Sequence, residues 1–280
     1  MVDEPDLGPV VQRLILGERL RSLRESSTRL GVDDANAEFG WYRGKLSKIE
    51  GGTLGITERE LSTLLARYGI SGPAAAQVRQ LGIEARRRAA PERVSDWAKQ
   101  YVPLERAATE IRMCDSEIPG LLQTRDYARA QLLGSPVVTA ADVEPMADAR
   151  AVRGQRLYRD NAPRVWAVLG EEALLRRVGT PEQMTTQLRH LREVAELPAV
   201  SIRVVPLHAG AYAGLSCPFT LLWIEAARAT IAYVETMTGA DYVKTVGTYN
   251  LAFERAEAAA LSERDTLDLL EHHIDRAEAR

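Results

Sequence analysis

The pattern of hydrophobic residues changes once along this 280-residue chain, close to Pro91. Before that point apolar residues recur at the spacing of one buried helical face, which is 3.6 residues per turn. After it, runs rich in β-branched and aromatic residues alternate with helical segments. A chain of this length also has room for two hydrophobic cores. We therefore expect an N-terminal all-α helix-turn-helix bundle over residues 1–90 and a larger α+β domain over residues 91–280.

The first half is predicted to form five short helices. The fourth opens with a capping box, in which Thr57 accepts from a free backbone N–H and Glu60 reaches back, and it ends at Gly69. A glycine at position 40 separates the second helix from the third, and two short helices joined by such a turn are typical of a helix-turn-helix. The predicted helices cover residues 10–25, 32–39, 42–50 and 57–68, and a fifth runs from the turn at residues 71–73 to the basic cluster 86–88.

The second half is predicted to contain strands as well as helices. Helix starts are indicated by capping residues at Thr124, Thr139, Thr180 and Ser262. Two of the predicted strands are separated by only five residues, 225–229, which indicates a hairpin. The predicted strands are residues 164–169, 200–205, 217–224 and 230–235, with a weaker candidate at 108–118.

Composition and charge exclude several classes of protein. The formal net charge is −3, so the chain is not a polycation that coats nucleic acid. The charge is uneven, since residues 1–90 carry 14 basic and 12 acidic side chains and residues 91–280 carry 22 and 27. Cys114 and Cys217 form no CxxC pair, so we expect neither a disulfide framework nor a thiolate metal site. With no apolar run of membrane-spanning length and an acidic N-terminus, we expect a cytoplasmic protein without membrane contact.

A cluster of basic residues lies within the third predicted helix. Leu46 and Ile49 are spaced to face the bundle, and no acidic residue precedes Glu50 in this stretch. A helix of this kind can lie in the major groove, where Arg or Lys donates to guanine and Ser or Lys meets phosphate. The alternative is a solvated basic face on an ordinary bundle. The candidate DNA-binding residues are Tyr42, Arg43, Lys45, Ser47 and Lys48.

The same stretch resembles a known family. Phe39-Gly40-Trp41 followed by residues 45–50 (KLSKIE) is similar to the recognition-helix region of Cro/repressor-type (XRE) regulators. The blocks 118–124 (IPGLLQT) and 126–130 (DYARA) look like the large C-terminal domain of actinobacterial, antitoxin-like regulators from this family. Further similar blocks are residues 101–105 (YVPLE), 191–198, 209–214, 218–221 (PFTL) and 233–239.

The resemblance implies a function and a set of partners. It implies a transcription regulator, an activator or a repressor, that binds a double-stranded DNA operator as a homodimer. It also implies a C-terminal domain that senses a small-molecule effector or binds a small partner protein encoded by a neighbouring gene. The long helical stretches predicted near residues 146–157 and 242–279 have apolar faces that a dimer interface could use.

The first helix of the motif departs from the family pattern. Where the family has a glutamine and then a small alanine, this chain has Val32 and Asn36, beside Asp33 and Asp34. A larger polar residue is unfavourable where helices pack closely, and two aspartates would repel phosphate. This departure leaves open a second interpretation, in which a degenerate head no longer binds DNA and the chain is a module that sequesters a protein partner.

Residues that could carry an enzymatic reaction are few. His208 lies near Cys217 in a glycine-rich loop, and a His/Cys pair can make an activated thiolate. A flexible loop between strands explains the same residues, and the neighbouring His272 and His273 diverge on their helix, so they cannot share a metal. A repurposed enzyme is therefore the third interpretation, and we expect no catalytic residue, no metal and no cofactor. Candidate ligand- or partner-binding residues are His208, Tyr212, Trp166 and Trp223, although Trp97, Trp166 and Trp223 also fit a core.

Overall fold

A computed structural model describes residues 7–88, 99–236 and 239–278 of the chain. These residues divide into two compact units. Residues 7–88, 102–107 and 224–229 make up the first unit, and the other described residues make up the second. The predicted boundary at Pro91 and the candidate core residue Trp97 both lie outside the described residues.

The N-terminal part of the first unit is entirely helical. Its core is built from side chains that the helical spacing selects, including Leu20, Leu61, Leu64 and Val78, all of them buried. The predicted capping box is present, because Thr57 accepts from the Glu60 N–H and Glu60 accepts from the Thr57 N–H. The five helices are α1 (Gly8–Ser27), α2 (Val32–Glu38), α3 (Lys45–Glu50), α4 (Glu58–Arg67) and α5 (Gly72–Arg86).

Helix α3 begins later than the sequence suggested. The prediction started it at Tyr42, but the first helical residue is Lys45. The reason is Gly44, whose φ of 84° is a left-handed conformation that ends the preceding turn and that side-chain-bearing residues rarely adopt. Tyr42 and Arg43 therefore belong to the turn between α2 and α3.

The second unit contains a mixed six-stranded sheet. Its strand order is β3-β2-β1-β4-β5-β6, where β1, β2 and β3 are parallel, β4 is antiparallel to β1, and β6 is antiparallel to β5. The parallel register aligns Asp115 at the end of β1 with Leu169 of β2, and Leu169 with Val204 of β3. The strands are β1 (Glu110–Asp115), β2 (Arg164–Gly170), β3 (Val200–Val205), β4 (Phe219–Ile224), β5 (Ala229–Thr236) and β6 (Gly239–Val243).

All five predicted strands are present, and β4 and β5 are neighbours in the sheet, as the hairpin prediction requires. Strand β6 was not predicted. Its sequence, GADYV, contains Gly239 and Asp241, which are residue types depleted in strands. Strand β6 is recognisable only through its pairing with β5, which joins Tyr233 to Tyr242 in register.

Eight further helices are described after α5. The stretch predicted as helical over residues 242–279 begins with the end of β6 and then forms two helices, the second of which starts after the predicted capping residue Ser262. The link between the two helices is tied to the sheet, since the Leu261 N–H donates to the Val204 carbonyl at 2.8 Å. No helix of the described residues is long and apolar enough to cross a bilayer. The helices are α6 (Tyr101–Ala107), α7 (Arg125–Leu133), α8 (Ala140–Gly154), α9 (Glu172–Leu175), α10 (Pro181–Ala195), α11 (Ala213–Ser216), α12 (Gly247–Ala259) and α13 (Glu263–Glu278).

Candidate functional site

A buried asparagine fixes the angle between α2 and α3. The side-chain oxygen of Asn36 accepts from the Leu46 backbone N–H at 2.9 Å, and its nitrogen donates to the Val32 carbonyl at 2.9 Å. Leu46 is in the first turn of α3, where backbone N–H groups have no partner within the helix, and the residue before that helix is Gly44, which has no side chain to cap it. Asn36 therefore caps the N-terminus of α3 from the neighbouring helix.

This contact corrects the expectation that Asn36 disturbs the packing of the two helices. A small residue, Ala35, is fully buried in the core of the bundle, one position before the expected alanine. Asp33 and Asp34 are exposed in the first turn of α2, where the helix dipole favours carboxylates. All three polar residues thus have a structural explanation within the first unit.

The other end of α3 is held by a buried ion pair. The guanidinium of Arg24 on α1 donates from Nε to Glu50 Oε1 at 2.7 Å and from Nη2 to Glu50 Oε2 at 3.0 Å. This hydrogen bonding to Glu50 raises the pKa of Arg24. The backbones also approach closely, since a Cβ at Gly17 would clash with the Glu50 carbonyl oxygen. Helix α3 is consequently fixed at both ends.

Four of the five predicted DNA-binding residues are exposed along the turn and α3. Tyr42 is 55% exposed, and Arg43, Ser47 and Lys48 are exposed as well. The Lys48 ammonium lies 5.7 Å from the centre of the Tyr42 ring. Within the described parts of the chain, neither Arg43 nor Lys48 forms an ion pair. These two cations are therefore available to an anionic partner such as a phosphate.

Lys45 differs from the other four. Its ammonium forms an ion pair with Glu60 of α4 and lies 4.6 Å from the centre of the Trp41 ring. Its side chain is only 18% exposed. Lys45 is therefore engaged within the bundle, joining α3 to α4.

The second unit contains an open cavity of about 900 Å³. It lies near the carboxyl end of β1, where the chain passes from Asp115 into Ser116 and Glu117, and in open sheets with parallel strands ligands bind at such ends. Helices α7 and α8 supply another part of the wall. The polar lining includes Asp115, Glu117, Gln123, Gln131, Arg150 and Arg153, and the remaining wall includes Tyr101, Val138, Met146 and Tyr233.

A network of amides holds one arginine in this cavity. Arg150 Nη1 donates to Gln123 Oε1 at 2.8 Å and to Gln131 Oε1 at 2.7 Å. Gln123, which is 3% exposed, donates in turn to the Ile118 carbonyl at 2.7 Å and to Gln131. Burial, together with the charge of Arg153, lowers the pKa of Arg150 to about 10. The guanidinium is thus fixed in position in a poorly solvated setting.

Asp115 lines the same cavity. Its side chain accepts from the Glu117 backbone N–H at 3.0 Å, which favours the charged form. Burial has the larger effect, and it raises the pKa of Asp115 to about 6. A carboxyl of this kind changes charge close to neutral pH.

None of the four residues predicted for ligand or partner binding lines this cavity. His208 is exposed in a turn after β3, and Trp223 is partly exposed in β4. Trp166 on β2 is flanked by Arg112 and Arg164, whose guanidinium carbons lie 5.5 and 5.0 Å from the ring centre. Tyr212 contacts a residue of the cavity wall. Its hydroxyl lies 2.9 Å from the Asp115 carbonyl oxygen and 2.8 Å from Glu172 Oε1.

The candidate His/Cys pair lies at the surface. His208 and Cys217 are both exposed, and no hydrogen bond joins them in the described part of the chain. The other cysteine, Cys114, is buried, and burial raises the pKa of its thiol to about 12. In residues 7–88, 99–236 and 239–278, no group of three or more His, Cys, Asp or Glu side chains is arranged to hold a metal ion.

Sequence reasoning missed the cavity, although one signal for it was available. The block 118–124, the most specific part of the family resemblance, supplies Ile118, Pro119, Gly120 and Gln123 to the cavity wall. The next block, 126–130, supplies Tyr127 and Ala130. The distinctive sequence therefore contributes to the cavity wall. Arg150, which donates to Gln123 of this block, lies in a helix with no recognisable motif.

Comparison with known proteins adds one match. Residues 98–272 match a family described as a domain of unknown function (DUF5753). Neither a curated protein nor a solved structure matches the chain.

Proposed function

The chain belongs to the DUF5753 family, whose description assigns no function, and we propose that it is a DNA-binding transcription regulator of the cytoplasm. In this proposal α2 and α3 form the helix-turn-helix of an XRE-type head. The observation that carries the proposal is the exposure of Arg43 in the turn before α3, and of Ser47 and Lys48 on α3, a helix whose two ends are fixed by buried polar contacts.

Arg43, Ser47 and Lys48 each have a role in the proposed interface. Ser47 and Lys48 donate to phosphate oxygens, which supplies affinity without reading the sequence. Arg43, in the turn before α3, donates to a base edge in the major groove, where arginine pairs with guanine O6 and N7. The cap from Asn36 and the Arg24–Glu50 ion pair hold these donors in place before DNA arrives, which lowers the entropic cost of binding.

The second unit is proposed to control this binding. Its cavity has the size expected for a small-molecule site, and we assign it the sensing role. A head that binds no DNA, in a protein that sequesters a small partner, is the competing function. Asn36 no longer supports that alternative, because the residue caps α3, so its remaining support is the exposed pair Asp33 and Asp34.

Two copies of the chain are proposed to act together on DNA. Regulators of this type read half-sites about 34 Å apart, and one head alone has too small an interface for high affinity. Sedimentation of the full chain at micromolar concentration, with and without DNA, should therefore detect a dimer. Finding only monomers under both conditions contradicts this part of the proposal.

The test of DNA binding is selection of bound sequences from a random pool, followed by salt titration on the winning sequence. Arg43→Ala should lose about 1 to 3 kcal/mol and relax the preference at one base pair. The matched control is Arg19→Ala. Arg19 is exposed on α1 and lies about 200° around that helix from Gly17, the residue that contacts α3.

The outcomes separate the two functions. If Arg43→Ala weakens binding and Arg19→Ala does not, the turn before α3 reads DNA. Asp33→Asn and Asp34→Asn should strengthen binding if α2 faces the phosphate backbone. If the wild type enriches no sequence and all variants behave alike, the head does not bind DNA and the partner-sequestering function replaces the regulator.

A further inference from the structure

The cavity of the second unit presents cationic groups from one face of a helix. Arg150 and Arg153 are three residues apart on α8, and Met146 is one turn before Arg150, so all three side chains share one face. The cavity, about 900 Å³, is large enough for a small organic molecule. Its chemistry therefore depends on what surrounds these two guanidiniums.

The hydrogen-bond partners of Arg150 carry no charge. Both acceptors of its Nη1 are amide oxygens, from Gln123 and Gln131. Within the described residues it forms no ion pair with a carboxylate. A charged group withdrawn from water is costly unless an opposite charge compensates it.

The carboxylates of the cavity compensate Arg150 only in part. Glu117 accepts from Gln131 Nε2 at 2.8 Å, and Glu235 accepts from the Tyr233 hydroxyl at 2.6 Å. Both are near enough to raise the pKa of Arg150, yet burial and Arg153 outweigh them and the pKa is lowered. The position of Arg150 is thus prepared for an anion that is not part of the chain.

The rest of the wall is suited to an apolar group. The rings of Tyr101 and Tyr233 are in contact, with centres 4.4 Å apart, and both residues line the cavity. Val137, which is 45% exposed, and Val138 line it as well. A ligand that fills this space would combine an anionic head with an aromatic or aliphatic body.

We propose that the cavity binds a small organic oxyanion, a carboxylate or a phosphate ester with an apolar body, whose charged oxygens pair with Arg150. The planar guanidinium suits this because it donates to two oxygens of one such group in parallel. The amide network prepares the site, since it fixes the guanidinium before the ligand arrives. The proposal deepens the sensing role and rests on the proposed function only for the link between ligand and operator.

The test is calorimetric titration of the full chain, without DNA, with four probes. Phenylacetate and phenyl phosphate carry the two kinds of anionic head on the same ring. Phenylacetamide is the neutral analogue of the first, and inorganic phosphate is an anion without the apolar body. At neutral pH at least one of the aromatic anions should bind about tenfold or more tightly than phenylacetamide, and more tightly than inorganic phosphate.

Variants assign the effect to Arg150. Arg150→Met should remove the preference for the anion, and Arg150→Lys, which keeps the charge but not the fork, should retain part of it. The matched control is Arg189→Met, because Arg189 is exposed on α10 and paired with Glu278 outside the cavity. This control should leave all four affinities unchanged.

Three results would overturn the proposal. The first is that phenylacetamide binds as tightly as the anions, and the second is that neither aromatic anion binds at millimolar concentration. The third is that folded Arg150→Met keeps the wild-type preference. If Arg150→Met does not fold, the wild-type comparison with phenylacetamide and the Arg150→Lys titration still decide. Because no DNA is present, a failure here is distinct from a failure of operator selection.

Discussion

The side-chain oxygen of Asn36 accepts a hydrogen bond from the backbone N–H of Leu46 at 2.9 Å, joining α2 to the first turn of α3. Asn36 is 2% exposed, so no water can replace this acceptor. A backbone N–H left without a partner in a buried place costs free energy. The angle between the two helices thus depends on a side chain that the family pattern would replace with alanine.

Asn36→Ala should therefore destabilise the protein, although alanine is the better helix former. The expected loss is about 1 to 2 kcal/mol, from one buried N–H left unsatisfied. Hydrogen exchange at the Leu46 amide is the direct measurement, since its protection should fall. Asn161→Ala, at an exposed position, is the control. Equal or greater stability for Asn36→Ala would mean that Asn36 is the packing defect that the sequence suggested.

The ion pair at the other end of α3 makes a second prediction. Arg24→Met leaves Glu50 buried without its main partner and should cost about 3 to 5 kcal/mol. The double variant Arg24→Met/Glu50→Leu removes both charges and should recover most of that loss. Denaturant unfolding measures both effects.

An exposed pair in the same unit supplies the control. Arg67 and Glu38 also form an ion pair, but both side chains are more than one third exposed. Arg67→Met should cost much less than Arg24→Met, because water screens an exposed pair. If Arg24→Met costs as little as Arg67→Met, the Arg24–Glu50 pair does not hold α3 in place.

Much of the fold followed from local sequence. The capping box at Thr57 and the glycine at Gly69 are short-range signals, and helix α4 ends where they indicate. Strand β6 was missed because its residues have no strand preference of their own, and it forms only by pairing with β5.

The sites were harder to predict than the fold. The helical pattern predicts that Lys48 is exposed, but it does not reveal that Lys45 forms an ion pair with Glu60, 15 residues further along the chain. The cavity is less predictable still, because Gln123 and Arg150 lie 27 residues apart and no local motif links them. Contacts of this kind depend on how the elements pack, which short-range patterns do not encode.

Lys45 and Lys48 should therefore behave differently in the DNA titrations. Lys48→Ala should flatten the dependence of log affinity on log salt by about one unit, as one phosphate contact is lost. Lys45→Ala should leave that slope nearly unchanged and instead lower stability, since Lys45 is paired with Glu60 and packed on Trp41. If Lys45→Ala flattens the slope as much as Lys48→Ala does, Lys45 leaves Glu60 to contact DNA.

The last prediction concerns pH and the cavity carboxyl Asp115. Burial raises the pKa of Asp115 from 3.8 to about 6. Between these two pH values, the folded protein holds a proton that the unfolded chain has already released. Stability falls with pH wherever the folded state binds more protons. The loss should therefore develop between about pH 4 and pH 6 and remain constant above that range.

Asp115→Asn tests this assignment. The variant keeps an oxygen that can accept from the Glu117 N–H but carries no charge, so it removes the cost of ionisation. It should be more stable than the wild type by about 1 to 3 kcal/mol at pH 8, and the difference should disappear near pH 4. Asp268→Asn, at an exposed carboxylate on α13, should show no such pH-dependent gain. If the two variants have the same pH profile of unfolding free energy, burial does not raise the pKa of Asp115. The polar wall of the cavity is then well solvated.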